Sequence, residues 1–174
     1  MIRAVISTVA VLAGFAVVEG SVDASTGHGV GSCKPTEAYA VLQPGETLLI
    51  RAQPTPEAPM LGTLAPTGKS APVVTVVGSQ GGWAQISLNG KDDGKPQHYG
   101  WLPADRLAVD TQLDGKVTLY SRPGLLGVEI GHIQGENQKF RVLGCRDELL
   151  QVINARVGNV WIDRWCSRES GCRG

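Results

Sequence analysis

The 174-residue chain has no excess of either charge: sixteen Lys and Arg stand against sixteen Asp and Glu, and the formal net charge is zero. No run of basic residues stands out, so the electrostatic footprint of a nucleic-acid binder is missing. Amphipathic basic stretches are absent too, which leaves membrane-surface binding without support. The chain lacks a C-x-x-C pair, and its three histidines (His28, His98, His132) do not sit at ligand spacing, so a zinc site is not indicated. No glycine-rich loop is followed by Lys-Ser or Lys-Thr, which removes a phosphate cradle. Asp92 and Asp93 with one glycine fall short of the five or more oxygen ligands of a calcium loop.

Catalytic constellations are also missing. Nucleophilic catalysis needs Cys or Ser beside a His that a third group orients. His28 falls in a linker, His132 on a strand, and only His98 lies on a loop near a plausible groove. The acids Asp92, Asp93, Glu136, Asp147 and Glu148 fall in turns, with no pair in the apolar context that a glycosidase acid requires. The chain is therefore expected to be no enzyme, and nothing in it implies a cofactor or a metal.

What is present begins with an export signal. Arg3 gives a positive start, Ala4 to Val18 is an uncharged apolar run, and Val22-Asp23-Ala24 offers small residues for cleavage. The run is shorter than the about 20 residues that span a bilayer. Residues 1–24 are thus expected to be a signal peptide, placing the mature chain in the periplasm or outside the cell with no membrane insertion after cleavage. Residues 25–44 read as a Gly/Ser-rich linker and lead-in segment. The four cysteines, Cys33, Cys145, Cys166 and Cys172, all follow the signal. An even count in an oxidising compartment favours two disulfides, of which three connectivities are possible. Pairing Cys33 with Cys172 would clamp the mature ends; pairing Cys166 with Cys172 would close a small C-terminal loop.

From Pro44 to Trp165 no helical period appears. Short alternating or β-branched runs sit between Gly, Pro, Asn and Asp clusters, the pattern of an all-β protein. The stretch from Gly78 to Leu107 shows it best. Gln80-Gly81-Gly82 predicts a tight hairpin turn. Trp83 to Leu88 then alternates, with Ala84, Ile86 and Leu88 assigned inward and Trp83, Gln85 and Ser87 outward. Asn89 to His98 is a polar loop, and Tyr99-Gly100-Trp101-Leu102 re-enters the sheet before a 3₁₀ turn at Pro103 to Arg106.

The chain also repeats itself. Leu48 to Pro54 aligns with Val117 to Pro123, and Leu61 to Leu64 with Ile130 to Ile133. Val77-Gly78-Ser79 aligns with Leu143-Gly144-Cys145, and Trp101-Leu102 with Trp161-Ile162. The landmarks keep one order in both halves, which divides the chain near Asp110 to Asp114, with about five strands expected in each unit.

These landmarks resemble those of bacterial Src-homology-3 (SH3b) domains, small β-barrels of exported and cell-wall-associated proteins. Arg51 to Pro54 gives an R-x-x-P after the first strand. Leu61-Gly62-Thr63-Leu64 gives the second strand, Gly81-Gly82-Trp83 opens the fourth, and Gly100-Trp101-Leu102 precedes the 3₁₀ turn. The resemblance implies two small SH3-like barrels in tandem, at residues 45–110 and, more divergently, 115–166, followed by a tail at 167–174. In the second, Tyr120 replaces Arg51, Leu149 replaces Trp83 and Val160 replaces Gly100. It implies a non-catalytic binding module for cell-wall peptidoglycan, its stem peptides or an envelope protein. The residues it points to are Arg51, Trp83, Tyr99 and Trp101, then Tyr120, Trp161 and Trp165. The competing role for these aromatics is core packing, which is favoured for Trp101 and Trp161. A different class, a structural or inhibitory protein–protein partner in the periplasm, fits the same composition.

Overall fold

Alternation of apolar side chains sets the strands. The structure is a computed structural model that describes residues 30–68, 70–88, 98–111 and 115–166. The signal expected at 1–24, most of the polar loop at 89–98, Cys172 and the tail at 167–174 lie outside the described residues. Twelve strands and two 3₁₀ turns follow one another: β1 (Gly31–Ala40), β2 (Leu48–Arg51), β3 (Met60–Leu64), β4 (Val73–Gln80), β5 (Trp83–Ser87), β6 (Tyr99–Pro103), a 3₁₀ turn at Ala104–Arg106, β7 (Leu107–Asp110), β8 (Lys116–Tyr120), a 3₁₀ turn at Gly124–Leu126, β9 (Glu129–Gln134), β10 (Lys139–Arg146), β11 (Leu149–Asn154) and β12 (Gly158–Ile162). The protein is all-β.

All strand pairs are antiparallel, in the order β3-β2-β6-β5-β4-β1-β7-β10-β11-β12-β8-β9. Read inward from either end, the order is the same once β7 to β12 are set against β1 to β6. The irregularities are duplicated as well. Leu61 is the extra residue between the β2 pairs Ile50↔Gly62 and Arg51↔Met60, and Ile130 is the extra residue between Leu119↔Gly131 and Tyr120↔Glu129. Val77 bulges from β4 and Leu143 from β10 at matching places. A bulge bends a strand and raises its twist, so identical bulges curve both halves alike.

Two differences from the sequence reading follow. Residues 31–40, read as part of a linker and lead-in segment, form the longest strand, β1, which pairs with both β4 and β7. Each half thus holds six strands, not five, and β7 pairs with β10 in the second half as β1 pairs with β4 in the first. The twelve strands run as one open sheet, because β1 and β7 hydrogen-bond to each other at its centre, Tyr39 opposite Ala108 and Ala40 opposite Leu107.

One hydrophobic core serves both halves. It includes Ala38, Val76, Ile86 and Leu102 from the first and Phe140, Val142, Leu150 and Ile162 from the second. Ala84 and Ile86 point inward while Trp83, Gln85 and Ser87 are half-buried on the other face, as the alternation predicts. Leu88 keeps the expected face, close beside Gly100, yet it is exposed, because β5 ends at Ser87 and leaves it at the sheet margin. Gly81 and Gly82 form the β4–β5 turn with φ of 55° and 84°, the mirror-image geometry that suits a two-residue hairpin. Asp147 takes the corresponding place between β10 and β11 with φ of 52°. Asp is among the few residues other than Gly that enter this region.

Candidate functional site

Directly opposed residues in neighbouring strands share a sheet face, so the strand register fixes which side chains can act together. In the first half Arg51 of β2 lies opposite Trp101 of β6, Trp101 opposite Gln85 of β5, and Gln85 opposite Gly78 of β4. In the second half the row is Tyr120, Trp161, Gln151 and Gly144. A tryptophan, a glutamine and a glycine therefore occupy matching places on four strands in each half. The glutamine leans over the glycine: its Oε1 lies 3.0 Å from where a Cβ on Gly78 would sit, and 3.5 Å from that of Gly144.

The first row is largely closed. Trp101 is 6% exposed and belongs to the buried set, although it faces away from Ala84 and Ile86. Arg51 is half-buried and its Nη1 donates to the Ala58 carbonyl at 3.0 Å, drawing the 52–59 loop over this face. Trp83, opposite Pro103, is half-buried, and Tyr99, opposite Ser87, is exposed. These two flank Trp101 on the same face. In the second half Tyr120 and Trp161 are half-buried, and Trp165, also half-buried, packs against the core.

The second row is open at the junction of the halves. A cleft of about 250 Å³ lies between the Gly81-Gly82 turn of the first half and Gly144, Gln151 and Trp161 of the second. Its wall is stitched together by Ser79. The Ser79 hydroxyl accepts from the Cys145 amide at 2.9 Å and donates to the Cys145 carbonyl at 3.1 Å. Ser79 and Cys145 are matching positions of the repeat, so the two halves meet here through equivalent residues. Behind them Cys33 and Cys145 form a disulfide. The Lys34 amide donates to the Asp147 carbonyl at 2.8 Å, and the Asp147 amide to the Ser32 carbonyl at 2.9 Å. Cys166 is disulfide-bonded as well, so no described cysteine is a free thiol. These bonds fit an oxidising compartment. Among the described residues no helix is long and apolar enough to cross a membrane.

Other features lie apart from the rows. A cleft of about 550 Å³ runs along Tyr39, Leu42, Pro44, Pro66, Pro72 and Lys139. Another, of about 290 Å³, is bordered by His132, Glu136 and Arg156. There the Arg156 guanidinium, then the Gln138 amide, hydrogen-bond Glu136 and hold its carboxyl below the usual range. His98 is exposed, with its carbonyl accepting from the Leu88 amide. The sequence reading singled out Trp161 but not Gln151, Arg146 or Ser79, which join it at the junction cleft. The signal was present in Gln85 and Gln151, which fall in step when Val77-Gly78-Ser79 is laid on Leu143-Gly144-Cys145.

No protein family matches the chain, and no curated protein does either. Among solved structures, NlpC2 from Trichomonas vaginalis is similar with a TM-score of 0.34 and 17% identity, over 78% of this chain. The match takes in 49% of NlpC2, so the chain spans about half of that protein's length.

Proposed function

We propose that the chain is an exported, non-catalytic binding module built from two SH3-like units fused into one body, and that it recognises cell-wall peptidoglycan or its stem peptides. The observation that carries this reading is the tryptophan–glutamine–glycine row, which occurs at the same register in both halves. Duplicated bulges and strand order support a common small-barrel plan. Paired cysteines support life outside the reducing cytoplasm. Recognition by an aromatic surface with a polar rim suits the second row, which is the open one. The test is retention on purified sacculi. Wild-type protein should be retained, and Trp83→Ala and Trp161→Ala should each weaken retention. No retention above background ends the peptidoglycan reading.

A protein partner is favoured by a different observation. Leu125, Leu126, Val128 and Ile130 are all exposed beside the edge strand β9. Clustered exposed apolar residues mark contact surfaces. On this reading sacculi would not bind, and co-purification would give one envelope protein in fixed stoichiometry.

A further inference from the structure

We infer that the junction cleft binds a single pyranose ring bearing a carboxylate substituent, the ring on Trp161 and the carboxylate on Arg146. The inference rests on the reading of the chain as a recognition module and goes beyond it in naming the site and the ligand chemistry.

The cleft is small, about 250 Å³, below the range that drug-sized ligands occupy. It has room for one ring and not for a folded peptide. Its lining is poor in aliphatic side chains, so it offers no socket for a hydrophobic peptide side chain. It does offer one indole, the two side-chain amides of Gln80 and Gln151, one guanidinium and bare main chain. A pyranose presents an apolar face of C–H groups and a rim of hydroxyls, and the indole meets the first while polar groups meet the second.

Each polar element is positioned. Gln151 Nε2 donates to Asn159 Oδ1 at 3.2 Å, which fixes the amide and leaves Oε1 turned toward Gly144 as an acceptor. Gly144 keeps the floor open: a Cβ there would sit 3.1 Å from Ser79 Oγ. The Gly81-Gly82 turn forms the opposite lip without side chains, so a ligand can approach main chain. Trp161 makes no side-chain hydrogen bond among the described residues, so its indole N–H is available. Arg146 is exposed, lines the cleft and has no ion-pair partner among the described residues. Its planar fork is matched to a carboxylate.

The matching place in the first half lacks this combination. Gln80 stands where Arg146 stands in the second half, and Trp101 is buried where Trp161 is half-buried. One site per chain is therefore expected.

The test titrates the disulfide-intact protein, labelled with ¹⁵N, with N-acetylmuramic acid and with N-acetylglucosamine. The two sugars differ by a lactyl ether that carries the carboxylate. The expected result is a shift of the Trp161 indole resonance with both, and about tenfold tighter binding of the acid, the scale of one charge-assisted contact. Arg146→Gln, at an exposed position, should abolish the preference and leave N-acetylglucosamine binding unchanged. Trp161→Ala should abolish both, and Trp161→Phe should retain weakened binding should the alanine variant fail to fold. Equal affinity for the two sugars in the wild type overturns the inference, as does a Trp161 response to free stem peptide but to neither sugar. Retention on sacculi that Trp161→Phe leaves untouched overturns the cleft assignment while the binding-module reading stands. Sugar binding without retention on sacculi supports the cleft and overturns the cell-wall reading.

Discussion

The phenol of Tyr39 donates a 3.0 Å hydrogen bond to Asp110 Oδ1 across the centre of the sheet, with both residues buried. They are matching positions: Tyr39 lies opposite Val73 as Asp110 lies opposite Lys139. Two equivalent sites can touch only near the axis that relates them, and Ser79 and Cys145 do the same at the junction cleft. The halves are therefore joined through side chains that differ where the repeat would have made them alike.

Removing the Tyr39 hydroxyl tests this joint. Tyr39→Phe keeps the ring and deletes the donor to Asp110. A loss of about 1–2 kcal/mol is expected for a buried bond of this kind. Urea unfolding should show a lower midpoint with an unchanged slope, since the surface exposed on unfolding stays the same. Two separate transitions in the variant would show that this bond couples the halves.

Gly100 and Ile50 are matched in size. A Cβ on Gly100 would lie 2.3 Å from Ile50 Cγ2, so Gly100→Ala overpacks the core and should cost about 1–3 kcal/mol. The second half holds Val160 and Leu119 at these places, both buried. Leucine has no γ2 methyl branching from Cβ, so Ile50→Leu should restore much of the loss in the Gly100→Ala background. A double-mutant cycle measures the coupling, and additive effects would refute it.

The Cys33–Cys145 bond closes a chain separation of 112 residues. Replacing both cysteines with serine should lower stability by about 2–4 kcal/mol, chiefly by freeing the unfolded chain. Hydrogen exchange should rise first at the Lys34 and Asp147 amides, whose hydrogen bonds flank the disulfide. Uniform destabilisation with no local rise would place the bond's effect wholly in the unfolded state.

Acid should weaken the protein through two surface carboxylates. The Arg106 side chain, then the Gln43 amide, hydrogen-bond Glu46 and lower its pKa, and Arg156 and Gln138 do the same for Glu136. A carboxylate with a depressed folded pKa binds fewer protons when folded. Its stabilisation is present above the unfolded value and is lost as pH falls through the folded one. The stability deficits of Glu46→Gln and Glu136→Gln at pH 7 should therefore shrink below about pH 4 and vanish under stronger acid. High salt should shrink the Glu136 deficit more than the Glu46 deficit, since Arg156–Glu136 is exposed and Arg106–Glu46 half-buried. Thermal melts across pH check this, and a deficit that grows in acid would reverse the assignment.

Local pattern alone determined the all-β class, the inward and outward faces of β5, the Gly81-Gly82 turn and the duplication. These rest on side-chain period and on the φ demands of glycine, which neighbouring residues encode. The twofold arrangement was decided only by tertiary structure. Residues 31–40 read as lead-in because their alternation is broken by Pro35 and has no nearby partner; β4, over thirty residues on, makes them a strand. Core packing was favoured for both Trp101 and Trp161; Trp101 is buried, while Trp161 stays half-buried because it borders the junction cleft. The junction cleft is not visible in either half alone, because its two walls come from distant segments that the β1–β7 pairing, the Ser79–Cys145 hydrogen bonds and the Cys33–Cys145 disulfide bring together.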